Sequence, residues 1–186
     1  MILDALLTFT GTGNGASGAP ASGQFTDAPT TGTQVASNII DLGVTNGIPA
    51  SAAGGGGARD IGVGDDPSLK LSCVVVTSFA GGTSLQLELD GAPDAGSNAP
   101  GTYTPMWTSA AIVEASLIQG MQLANVDVPR VGPEQALPRF LRLRYITVGT
   151  HTGGAVEAQI VIDRDDQIHG ATGLYSGYQA GVVVAN

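Results

Sequence analysis

The chain has 186 residues, one cysteine, and seven lysines and arginines against sixteen aspartates and glutamates, a net charge of −9. This length suits one domain able to bury about 70% of its unfolded surface. A lone Cys73 excludes an intrachain disulfide, and the acidic balance argues against a phosphate backbone as partner. Charged residues make up only 12% of the chain, so much of its surface is expected to face protein rather than water.

The N-terminal MILDALLTF (1–9) reads as a weak strand. It has no basic leader and carries Asp4, so it is not expected to act as a secretory signal. No apolar run approaches the ~20 residues a membrane span needs. A protein made in the cytoplasm and kept off membranes is expected. Residues 10–34 hold one charge, Asp27, and one aromatic, Phe25, among Gly, Ala, Ser, Thr and Pro. Without periodicity or apolar surface to offset ordering entropy, they read as a flexible arm. VASNIIDL (35–42) is a weak strand. GVTNGIPASAAGGGG, from residue 43, is a linker by composition, so glycine-rich insertions are expected at about 10–34 and 45–57 of a single domain, 1–186.

GGARDIGVGDDP (56–67) raises the question of a phosphate loop. Such a loop needs a helix N-terminus behind it. Here the alternating run SLKLSCVVVTSF (68–79) follows, the third glycine is missing, and Asp65 and Asp66 would repel phosphate. The stretch reads as a turn into a strand.

In 68–79, Leu69, Leu71, Cys73 and Val75 point one way, and Lys70 and Ser72 the other. In SLQLELD (84–90), Leu85, Leu87 and Leu89 oppose Gln86, Glu88 and Asp90. Strict period two marks a half-buried strand, and Gly81-Gly82 between them suits a tight hairpin. WTSAAIVEAS (107–116) is a weaker strand, and SLIQGMQLA (116–124) could form a helical turn. PRFLRLRYITVG (138–149) alternates again, with Leu141, Leu143 and Tyr145 opposite Phe140, Arg142, Arg144 and Ile146. AVEAQIVID (155–163) is expected to pair with it across THTGG, its apolar face formed by Val156, Ala158, Ile160 and Ile162. AGVVVAN (180–186) is a last weak strand. About eight strands with turn signals between them give an all-β, antiparallel sandwich or barrel.

NIIDLG (38–43), then ARDIGVG (58–64) and a strand, resembles the capsid cement proteins of certain short-tailed bacteriophages. AGGTSLQLELDGAPD (80–94) resembles that family's first hairpin, and WTSAAIVEASLIQG (107–120) its middle segment. LPRFLRLRYITVGTHTGGAVEAQIVIDRDDQ (137–167) resembles its closing hairpin. The resemblance implies a jelly-roll β-sandwich that binds the outside of an icosahedral virion capsid and clamps neighbouring major capsid subunits. It implies no catalytic site, cofactor or metal. Oligomeric behaviour is expected with it, most simply a homodimer.

Among individual residues, Arg139, Arg142 and Arg144 are three of the chain's seven basic side chains. They read as a patch docking on acidic capsid subunits or a second copy, as a solvated strand face, or as partners of Glu157 on the neighbouring strand. Phe25 is the candidate anchor of the arm on a partner. DRDDQ (163–167) lacks the spacing of a calcium loop, and His151 and His169 sit in turn-like surroundings without a metal pattern. Trp107 and Tyr103 could stack a sugar or pack beneath a loop. A β-sandwich module binding a host glycan or receptor is therefore the alternative to a cement protein.

Overall fold

The computed structural model describes residues 7–11, 26–42, 69–96, 99–129 and 138–162, and the backbone at 21–22, 168–169 and 174–175. The strands are β1 (Ala21–Ser22), β2 (Asp27–Ala28), β3 (Thr31–Asp41), β4 (Leu69–Ala92), β5 (Thr104–Thr108), β6 (Ile112–Val113), β7 (Gln122–Asp127), β8 (Phe140–Ile162), β9 (Ile168–His169) and β10 (Leu174–Tyr175). No α-helix occurs among the described residues. A three-residue 3-10 helix spans Glu114–Ser116. Every strand pairing is antiparallel, so the all-β reading holds.

One ribbon organises the chain. Strands β4 and β8, 24 and 23 residues long, pair from Leu69↔Ile162 to Ala92↔Phe140. The ribbon bends in the middle, where register shifts cluster between Val75 and Ser84. Its inner face is apolar on both sides of the bend. Leu69, Leu71, Cys73, Val75, Val156, Ala158 and Ile160 come from one half; Leu85, Leu87, Leu89, Leu141, Leu143 and Tyr145 come from the other. All are buried in one core. The halves therefore act as two facing layers. β7 and β2 flank the first half, and β3, β5 and β6 flank the second. The segment 7–11 runs beside the first half through Thr8↔Gln159, and Phe9 fills the core. Phe9 also accepts a bond from the Asn38 amide of β3 at 2.8 Å, tying the two layers together.

Neither expected hairpin forms. Gly81-Gly82 lies inside β4, and THTGG lies inside β8. Gly81, Gly149 and Gly154 do adopt positive φ, at 85°, 78° and 129°. That local freedom serves a bend instead of a reversal. Each strand finds in the other a partner of nearly equal length and matching alternation, which buries both apolar faces at once. His151 is consequently not a loop residue. It is buried at the bend, edge-on to Phe79 at 5.0 Å, with Nε2 3.3 Å from the Ser84 carbonyl. Gly82 is what makes room: a Cβ there would fall 2.1 Å from the imidazole.

The flanking segments also differ from expectation. Residues 26–34, read as part of the arm, carry β2 and the start of β3, and Asp27 is fully buried. Residues 116–124 turn through Gly120 and enter β7 without a helix beyond Ser116. Residues 35–41 of the expected strand 35–42 lie within β3, whereas 107–116 hold only β6 and the 3-10 helix after β5. Phe25, the insertion at 45–57, the glycine-rich 56–67, DRDDQ and 180–186 lie outside the described residues.

Candidate functional site: the paired outer face of the ribbon

Alternation puts Ser84, Gln86, Glu88 and Asp90 of β4 on the outer face. Register sets them opposite Val148, Ile146, Arg144 and Arg142 of β8. The arginines are thus joined to carboxylates of β4 and not to Glu157, which lies beyond the bend opposite Val74. Asp90 Oδ2 takes Arg142 Nε at 2.8 Å and lies 2.9 Å from Arg144 Nε; Arg144 also meets Glu88. The Asp90 side chain is only 1% exposed, whereas those of Arg142 and Arg144 are 23% and 25% exposed. The carboxylate is buried beneath guanidinium planes that themselves reach water.

Two aromatic contacts frame the pairs. The Arg142 guanidinium lies 3.9 Å from the centre of the Tyr103 ring, and that of Arg139 lies 4.9 Å from the centre of Phe140. Burial pushes the Tyr103 phenol up, the positive charge of Arg142 opposes this, and Asp90 and Asp41 add to it. Arg139 forms a fork with Asp41, Nε to Oδ1 at 2.8 Å and Nη2 to Oδ2 at 3.0 Å, and reaches Asp94 at 2.5 Å. These bonds hold its guanidinium charged more firmly than usual. Three arginines thus meet four carboxylates, and their positive charge is matched within the chain. Trp107 packs against the core, and Tyr103 lies beneath Arg142, so neither ring stands open as a stacking platform.

Further along this face the charges stop. Val113 of β6, Ser84 of β4 and Val148 of β8 form one cross-strand row. Val113 and Val148 are 59% and 55% exposed, two of the three large exposed hydrophobics among the described residues, with Ile118 the third. Sequence reasoning placed the arginines on one face but missed Glu88, Asp90 and Asp41 as their partners. The signal was present in two alternating doublets of opposite sign, Glu88-x-Asp90 and Arg142-x-Arg144. Reading each long strand as a closed hairpin hid it. Among the described residues, no three His, Cys, Asp or Glu side chains are gathered as metal ligands, and no helix is long and apolar enough to cross a membrane.

An antiparallel all-β protein built on a folded two-strand ribbon, with paired charges on its outer face, is the class this geometry defines. Within that class the sequence profile of the Bbp16 family matches residues 25–160, from before β2 almost to the end of β8. The chain belongs to the Bbp16 family. A comparison with curated proteins gives no match.

Proposed function

We propose that this protein is a structural virion component with jelly-roll connectivity. It binds the outside of an icosahedral phage capsid and cements neighbouring major capsid subunits. The observation that carries the reading is the ordered set of segments from NIIDLG to the closing AVEAQIVID that resemble capsid cement proteins; nearly all of it lies within residues 25–160. Two physical features support it. A net charge of −9 suits an exterior surface better than one facing packaged nucleic acid. The outer face offers sheet area with its charges already neutralised and an apolar row at one end. On a shell, many identical weak contacts add up.

In this reading the Val113–Ser84–Val148 row meets the capsid subunit, and the arginine pairs keep the adjoining face neutral. The test is sedimentation of purified shells with added protein. Fixed stoichiometric binding, and shells that withstand more heat or denaturant when decorated, are expected. Val148→Lys should abolish binding while leaving stability within about 0.5 kcal/mol, as for other surface changes. Shells equally robust with and without the protein would overturn the cement role, and loss of host-cell adsorption alone would favour a receptor-binding module.

A further inference from the structure

Asp27 is a carboxylate where a core residue would be expected. Its side chain is fully buried. Oδ2 accepts bonds from the Ser37 amide at 3.0 Å and the Tyr145 hydroxyl at 3.1 Å; Oδ1 accepts from Ser37 Oγ at 2.5 Å and the Gly11 amide at 3.4 Å. No lysine or arginine among the described residues forms an ion pair with it. One carboxyl thereby joins the segment 7–11, β2, β3 and β8. Gly11 and Asp27 also bracket most of the glycine-rich N-terminal stretch.

Among the described residues the groups around it are few. From β8 come Tyr145 and, beside Asp27's register partner Val156, Glu157. From β4 comes Cys73; from β3 comes Ser37. Segment 7–11 and β1 contain no titratable side chain. Burial pushes the Tyr145 phenol well up and the Cys73 thiol up, and the charge of Asp27 adds to both, so these two stay neutral. Burial also raises the Asp27 carboxyl, and the bonds from Ser37, Gly11 and Tyr145 offset this only in part. Both protonation states can be served: ionised, the carboxylate accepts from its donors; neutral, it donates to a rotated Ser37 or Tyr145 hydroxyl.

We propose that the Asp27–Ser37–Tyr145 cluster is a pH-operated latch that clamps segment 7–11 and β3 onto β8 when the carboxyl carries its proton and loosens them as it ionises. The folded value lies above the unfolded one, so the native state holds the proton more tightly. The latch's contribution is full below the unfolded value and is lost as pH rises through the folded one. The inference does not depend on any role at a capsid.

Amide hydrogen exchange, corrected for the intrinsic rate at each pH, tests it across about pH 4 to about pH 8, either side of an aspartate raised from about 3.9. Opening at the Phe9, Gly11 and Ser37 amides is expected to become more frequent with pH, by up to about tenfold per unit within the window. Leu87 and Leu143 in the ribbon should stay flat, and Asp27→Asn should abolish the slope. An equal slope in Asp27→Asn, or none in the wild type, overturns the latch. Should Asp27→Asn fail to fold, the wild-type Asp27 carboxyl carbon is titrated by NMR. A midpoint displaced upward, moving together with the Gly11 and Ser37 amide signals, supports the latch, and an ordinary aspartate midpoint overturns it.

Discussion

Removing Arg142 and Arg144 together leaves Asp90 as a buried charge with no cationic partner among the described residues. The Asp90 side chain is 1% exposed, and both of its ionic contacts, at 2.8 and 2.9 Å, come from these two arginines. Stripping a buried carboxylate of its cations typically costs about 3–5 kcal/mol. Because the arginines are about a quarter exposed, water can enter where they stood, so the lower end of about 3 kcal/mol is expected for the double alanine variant. Against a domain stability of about 5–15 kcal/mol, that is a large loss. Asp90→Asn should cost less, because Arg142 and Arg144 can turn their guanidinium groups to solvent. Adding Asp90→Asn to the double alanine variant should recover most of the loss, since the residual amide carries no charge. Urea unfolding at neutral pH, read as a shift in midpoint at constant slope, measures all three. A double-variant loss below about 1 kcal/mol, the range of solvated surface pairs, would refute the reasoning. Reversing both arginines to glutamate would set four carboxylates together, so a shell-binding defect in that variant would report on folding before it reported on docking.

Gly82→Ala should lower Tm, because its Cβ would press on the buried His151 ring at 2.1 Å. Overpacking costs about 1–3 kcal/mol, or roughly 2–4 °C for each kcal/mol at this size, and an unchanged Tm in calorimetry would show that the bend yields freely. Tyr145→Phe removes a buried donor to Asp27 and is expected to cost about 1–3 kcal/mol; chemical denaturation measures it, and an unchanged midpoint would show that this bond contributes nothing. Cys73 is fully buried and its thiol is pushed up chiefly by burial, so an aromatic disulfide reagent should label it only as fast as the core opens; immediate labelling of native protein would contradict its place in the core. Sedimentation equilibrium at micromolar concentration is expected to show a homodimer, strengthened by salt because screening relieves repulsion between copies of charge −9; a pure monomer would count against self-association.

Much of the fold is legible in the chain because strand alternation is a local property. The run Leu69, Leu71, Cys73, Val75 and the run Leu85, Leu87, Leu89 each declare an inner face, and all seven residues are buried. The same holds for Leu141, Leu143 and Tyr145. The outward placement of Arg142 and Arg144 follows from that period, as does the opposition of Glu88 and Asp90 to the leucines. Composition also narrowed the search: three of the chain's seven basic side chains, Arg139, Arg142 and Arg144, lie within six residues.

Partnership is not local, and there the sequence falls silent. A glycine at positive φ permits a reversal or a bend equally well. Which one occurs depends on whether a strand some 70 residues away offers a better partner than the adjacent run, and only the assembled ribbon decides that. The consequence reached the site directly, because the bend sets Arg142 and Arg144 against Asp90 and Glu88 and leaves Glu157 in the other half. Asp27 is the second instance. A lone aspartate among Gly, Ser and Thr reads as solvated, and nothing adjacent to it says otherwise. Its burial is imposed by Tyr145, Ser37 and Gly11, brought from three separate stretches of chain. A single sequence shows which side chains alternate and which are charged; it does not show which desolvated charge will find its donors across the core, because that energy exists only once the layers have closed.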